Sequence, residues 1–119
     1  MKKTMIIGAN PNPERYAYKA AGMLTAKGHK IINIGIKKGE VYGVPIEPPG
    51  HLFTDIDTIT LYIGPDIQKE YYDYILKTKP KRVIFNPGTE NEELQRLLKE
   101  NDIEYTEACT LVLLSTGQY

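Results

Sequence analysis

Cysteine occurs once in this chain, at Cys109. An internal disulfide is therefore excluded, and a reducing compartment fits best. Histidine occurs only at His29 and His51, and neither has metal-ligand spacing to Cys109. Charge of one sign is not in excess either: 15 basic and 15 acidic residues give a formal net charge of zero. The basic footprint of a general nucleic-acid binder is missing. No apolar run approaches the length of a membrane span. The opening run Met5-Ile6-Ile7 stops at Gly8, too short for the core of a signal peptide. The expectation is a soluble, cytoplasmic protein with no nucleic-acid or membrane partner. At 119 residues it suits one domain, 1–119. A chain of that size buries roughly 65% of its unfolded surface without a disulfide or metal staple.

What is present is an alternation of short apolar runs and helical patterns. Met5-Ile6-Ile7 reads as a buried strand closed by Gly8-Ala9-Asn10. Asn12-Pro13-Glu14 reads as a helix start, with Asn12 as cap and Pro13 in the first helical position. Ala17, Ala20, Ala21 and Leu24 share one face, small enough to sit close to a sheet, and Gly28 follows the helix. Ile31 to Ile36 is the second strand. Residues 37–56 are irregular, with room for one short strand near Val41 to Ile46. Ile59 to Ile63 is the next strand. Gly64-Pro65-Asp66 opens a helix with Ile67, Tyr71, Tyr74 and Ile75 on its apolar face. The lysines at its end, with Arg82, suit a helix C-terminus facing solvent better than an anion patch. Arg82 to Phe85 is the fourth strand of the main alternation. Thr89 and Glu92 form a T-x-x-E capping box for a helix with Leu94, Leu97 and Leu98 as its buried stripe. Ile103 to Tyr105 is a last short strand, and Leu111 to Leu114 a final helical turn. The expected fold is α/β: a three-layer Rossmann-like arrangement around a mostly parallel, five-stranded sheet of order about 3-2-1-4-5.

In such a sheet the ligand site lies at the carboxyl ends of the strands. Three turns meet there, at Gly8 to Glu14, at Gly64-Pro65-Asp66 and at Asn86 to Glu92. The first is the best anion site, because Gly8 lets the backbone turn tightly and the following helix aims free N–H groups at it. Pro11 and Pro13 remove two donors, however, and there is no G-x-G-x-x-G. Arg15 opposes the helix dipole, which a phosphate partner would explain; pairing with Glu14 would explain it equally. The second strand runs into Lys37 and Lys38 rather than an Asp or Glu, which suits a phosphorylated ribose, as in NADP or coenzyme A (CoA). Two solvated lysines in a loop are the plainer reading. Catalytic constellations are scarce. Cys109 could be a thiol activated at a helix N-terminus, but a packed cysteine is the commoner case. Glu90, Glu92 and Glu93 suit the first turn of a helix.

Taken in order, Gly8-Ala9-Asn10 with Pro13, Arg15-Tyr16-Ala17-Tyr18-Lys19, Gly28-His29, Lys37, Glu40-Val41-Tyr42-Gly43, Asp57, Pro65, Gly88-Thr89-Glu90-Asn91-Glu92-Glu93 and Cys109 resemble the small stand-alone CoA-binding domain family. That family is similar to the N-terminal nucleotide domain of the succinyl-CoA synthetase alpha subunit. The resemblance implies a Rossmann-type fold that binds CoA through its nucleotide part and has no established catalytic residues. Five places depart from the family pattern. Gly35-Ile36 stands for the usual Asn-Pro, Ala17 for Gly and Asn86 for Gln. Ile63-Gly64 lacks a frequent arginine, and Thr110 stands for the proline after Cys109. The expected cofactor site comprises Gly8, Ala9, Asn10, Asn12, Arg15, Tyr16, Lys37, Ile63, Asn86 and Gly88, with no catalytic residue and no metal. CoA or acyl-CoA is the expected ligand, with NADP as the alternative. Two other readings stand beside it: a small NADP- or Cys109-dependent enzyme, and a regulatory or partner module that has lost its ligand. A homodimer is left open.

Overall fold

The computed structural model of the chain covers residues 1–119. Its strands are β1 (Thr4–Ile7), β2 (Ile31–Ile34), β3 (Glu40–Val41), β4 (Val44–Glu47), β5 (Thr58–Leu61), β6 (Arg82–Phe85) and β7 (Glu104–Glu107). Its helices are α1 (Tyr16–Ala26), α2 (Pro65–Gln68), α3 (Tyr72–Thr78), α4 (Glu92–Glu100) and α5 (Thr110–Ser115), with a 3₁₀ turn, Lys69–Tyr71, joining α2 to α3. All strands belong to one sheet of order β3-β4-β2-β1-β5-β6-β7. Every pairing is parallel except β3 with β4. With the short strand of the irregular segment counted third, β4-β2-β1-β5-β6 has the order 3-2-1-4-5; counted along the main alternation, where Arg82–Phe85 is fourth, β2-β1-β5-β6-β7 has the order 2-1-3-4-5. β7 and β3 extend the first of these runs, so the count is corrected from five strands to seven.

β3 escaped the sequence pattern because its turn is unusual. Tyr42 (φ 50°) and Gly43 (φ 78°) both lie in the left-handed region, which is what a two-residue hairpin turn requires. A tyrosine there carries none of the usual turn signal. Asn33, buried on β2, holds the hairpin in place by donating from Nδ2 to the carbonyls of Val41 (3.3 Å) and Val44 (3.1 Å).

The period of two along each strand divides the core. Met5 and Ile7, with Ile32, Ile34, Ile59, Leu61, Val83 and Phe85, pack under Tyr71, Tyr74, Ile75, Leu94 and Leu98 of the α2–α4 side. Complete burial of each such aliphatic side chain contributes about 1.5–3 kcal/mol. Ile6 and Ile31 face the other way, against Ala17, Ala21 and Leu24 of α1 and Leu114 of α5. Toward α5 this second face turns polar, with Thr4, Thr58, Thr60, Asn86 and Thr110 all buried. No helix is long and apolar enough to cross a membrane.

Two helix starts differ from expectation. α1 begins at Tyr16, with Arg15 as the extended residue before it (ψ 144°), rather than at Asn12-Pro13. The Asn10 and Asn12 side chains accept from the amides of Asn12 (2.9 Å) and Glu14 (3.0 Å), so two successive Asx turns outcompete the helix. α4 is capped by Asn91, whose Oδ1 accepts from the amides of Glu93 and Leu94. Thr89, the expected cap, instead donates back to the Asn86 carbonyl (2.7 Å). Ile67, expected on an apolar helix face, is 50% exposed.

At the opposite edge of the sheet the Tyr119 ring stacks against the Arg82 guanidinium (4.7 Å) and lies edge-on to His29 (5.0 Å). His29 Nδ1 accepts from the Lys2 amide at 3.0 Å. Burial, helped by the positive charge of the N-terminal amine of Met1, holds the His29 pKa below its ordinary value. The neutral ring is thus the form the fold favours. Its contribution to stability is present above the unfolded histidine pKa and is lost as pH falls through that value toward the lower folded one. Denaturant titrations across that window are expected to show stability falling with pH, with a shallower fall in His29→Gln. An identical pH profile in the variant would remove His29 as the cause.

Candidate functional site

The carboxyl ends of β1 and β5 are where the chain parts. From β1 it passes through α1 on one face of the sheet to β2; from β5 it passes through α2 and α3 on the other face to β6. Ligands of open parallel sheets bind at such a point. Here a groove of about 700 Å³ opens over it.

Gly8 makes the groove floor. Its φ is +97°, and a Cβ there would lie 2.9 Å from Ile63 Cγ2 and 3.0 Å from the Tyr62 carbonyl oxygen. Conformation and space both demand glycine. The amides of Gly8 (2.9 Å) and Ala9 (3.0 Å) donate together to the Ile34 carbonyl. Those two N–H groups hold the turn against β2, so the donors the sequence reading assigned to the following helix are the ones left unpaired here. Gly35 completes the junction, because a Cβ on it would sit 2.8 Å from the Ala9 carbonyl oxygen. The Gly at this departure from the family pattern is therefore required by the approach of the β1 turn.

The free donors lie one step further on. The amides of Tyr16, Ala17 and Tyr18, at the start of α1, have no acceptor within the protein, and no side chain caps the helix. They carry the positive end of the helix dipole toward the groove. Arg15 and Tyr16 line it from α1 and Lys37 from the loop after β2. Three exposed apolar side chains stand at its edge: Tyr16 (67%), Ile36 (85%) and Ile67 (50%).

Of the ten expected site residues, Gly8, Ala9, Asn10, Arg15, Tyr16, Lys37, Ile63 and Gly88 line the groove. Asn12 and Asn86 do not. Asn12 is occupied with its Asx turn. Asn86 points into the protein, where Nδ2 donates to Thr60 Oγ1 (2.7 Å) and to the Leu61 carbonyl (2.8 Å) and Oδ1 accepts from the Thr110 amide (2.8 Å). It fastens β5, β6 and the start of α5 together. Cys109 is the half-buried residue preceding α5 and is not part of the groove wall. Glu90 stands outside the α4 first turn and accepts from the Gly88 amide through Oε1 (2.9 Å).

The residues that sequence reasoning missed are Gln68 and Tyr62. Gln68 is wholly buried and donates to the carbonyls of Ile63 (2.8 Å) and Thr89 (2.7 Å). A glutamine in a Pro-Asp-Ile-Gln helix start reads as solvent-facing, so no pattern marked it. Tyr62 lines the groove, while its buried hydroxyl lies near Thr60 and Thr110 without a hydrogen-bond partner. Burial pushes its pKa up to about 12, which favours the protonated hydroxyl.

The CoA binding domain family matches residues 2–115. The chain belongs to that family. Among solved structures it is similar to an uncharacterized protein known from its crystal structure, with 55% identity and a TM-score of 0.98 over 100% of this chain and 98% of that one. A hypothetical protein from Pyrococcus horikoshii OT3 is 26% identical, with a TM-score of 0.89 over 97% of this chain and 82% of that one. A conserved hypothetical protein from Pyrococcus furiosus is 25% identical, with a TM-score of 0.83 over 94% of this chain and 98% of that one. No curated protein matches the chain.

Because Asn86 satisfies buried partners on two strands and a helix start, Asn86→Ala is expected to lower the unfolding free energy by about 2–4 kcal/mol. Chemical denaturation measures this, and a loss below about 1 kcal/mol would contradict the assignment.

Proposed function

We propose that the chain binds CoA or an acyl-CoA through the nucleotide end, in the groove above β1 and β5, as a binding module rather than an enzyme. One observation carries this reading: α1 opens with amides that have no partner in the protein, and its first residues Tyr16 and Ala17 line one groove with Arg15 and Lys37 in a chain of this family. A pyrophosphate suits the amides and the dipole. The Arg15 guanidinium, beside those amides, supplies charge-assisted hydrogen bonds. Lys37 stands after β2, where NAD sites use a carboxylate for the ribose hydroxyls, and a cation there suits a ribose carrying a phosphate. That feature also favours NADP as the second ligand to test.

The binding-only role is supported by what lines the groove. No serine, cysteine or histidine does so, and the one tyrosine hydroxyl with a large shift is held in its protonated form. The one threonine of the wall, Thr89, has its hydroxyl committed to the Asn86 carbonyl (2.7 Å), so the usual signature of covalent catalysis, a hydroxyl or thiol nucleophile paired with a base, is not built there from serine, threonine or cysteine.

Isothermal calorimetry with CoA, acetyl-CoA, NADP and NAD tests the reading. CoA is expected to bind most tightly and NAD most weakly. Arg15→Ala is expected to weaken CoA binding by about 1–3 kcal/mol. Absence of binding to all four at millimolar ligand would overturn the proposal, and an unchanged dissociation constant in the variant would take Arg15 out of the site.

A further inference from the structure

We propose that Gln68 is a positioning residue for the groove's ligand, a brace that sets the spacing of the two loops forming the β5–β6 wall. The inference rests on the CoA reading above.

A wholly buried glutamine is costly unless each polar atom is paired. Here each one is. The two Nε2 hydrogens go to the carbonyls of Ile63 (2.8 Å) and Thr89 (2.7 Å), and Oε1 accepts from Asn91 Nδ2 (2.8 Å). Ile63 and Thr89 belong to different loops, one after β5 and one after β6, and both loops line the groove. The network continues outward. Asn91 Nδ2 also donates to the Tyr72 hydroxyl (2.8 Å), which donates to Glu93 Oε1 (3.0 Å), while Asn91 Oδ1 caps α4. The brace is therefore anchored at α2, α3 and α4 at once.

The position is not one that stability alone would fill this way. Gln68 is the only buried residue of α2, and its neighbour Ile67 is left 50% exposed. An apolar side chain at 68 would bury surface without needing three exact partners. What the glutamine adds is geometry: both carbonyls are turned inward, so the loops present the Ile63 side chain and the Gly64 and Gly88 backbone to the groove. A fully satisfied buried network fixes such an arrangement before the ligand arrives, and a preorganised wall raises affinity.

Calorimetry with CoA on Gln68→Met and Gln68→Glu tests this, beside Leu98→Ala as a control that destabilises the core under α4 away from the groove. Asn91→Asp is the milder variant, since it removes the donor to Gln68 but keeps the α4 cap. The Gln68 variants are expected to bind CoA at least tenfold more weakly at a temperature where all are folded. Leu98→Ala should stay within twofold of the parent despite an equal or lower Tm. Amide hydrogen exchange without ligand should speed up at Gly64 and at Gly88 to Asn91 together in the Gln68 and Asn91 variants only. Parent-like CoA affinity in folded Gln68 variants, or unchanged exchange in both loops, overturns the brace. If the parent itself binds no CoA, the CoA reading fails instead, and the exchange pattern alone decides whether Gln68 sets the wall.

Discussion

Everything at the carboxyl edge of the sheet depends on one carbonyl. Ile34, the last residue of β2, accepts the amides of both Gly8 and Ala9. That pair of bonds pulls the β1 turn down between the ends of β2 and β5. Gly8 has to fit under Ile63, and Gly35 has to pass the Ala9 backbone. Once the turn is held so low, α1 cannot begin at once. The chain climbs through two Asx turns before Tyr16, which opens the space above the strands. The groove is a product of this tethering, and so is the placement of the unpaired amides at the first residues of α1 rather than in the turn.

The two faces of the sheet solve the burial problem differently. The α2–α4 side is hydrocarbon over most of its area and there needs only shape, the Gln68 network at its groove end being the exception. The α5 side carries threonines, Asn86 and the rim of Tyr62, and needs partners in fixed directions. An apolar layer tolerates small adjustments, whereas a hydrogen-bonded layer has few alternatives of similar energy. The segments flanking the groove, Tyr62 to Gly64 and Asn86 to Thr89, are tied into networks of this second kind. Their geometry is held by directional bonds rather than by filling of space.

The layered α/β fold was legible because it rests on patterns that burial imposes directly. Met5-Ile6-Ile7 and Val83 to Phe85 are strands buried on both faces that read as unbroken apolar runs, and Ile59 to Leu61 reads almost as one, broken only by the buried Thr60. Ala17, Ala20, Ala21 and Leu24 likewise declare the inner face of α1. Most of the groove wall was legible for the same reason, since its location follows from topology. The details that escaped depend on side chains meeting across the chain. Gln68 and Asn91 find each other only after folding. Asn86 looks like a ligand donor in sequence but has Thr110 as its nearer claimant. Tyr42 takes the first central place of a hairpin turn, where only Gly43 beside it advertises a turn. The shift of the α1 start reflects two asparagines competing locally with the helix, a contest that propensity alone does not decide.

The cluster around Tyr119 also fixes where the chain's two ends emerge. The Lys2 ammonium donates to the Tyr119 carbonyl, and the Tyr119 hydroxyl meets Thr4 at the base of β1. Both ends therefore leave from the amino edge of the sheet, the far side from the groove. A fusion partner, a surface tether or a short linker closing the chain into a circular permutant can be attached there without crossing the groove.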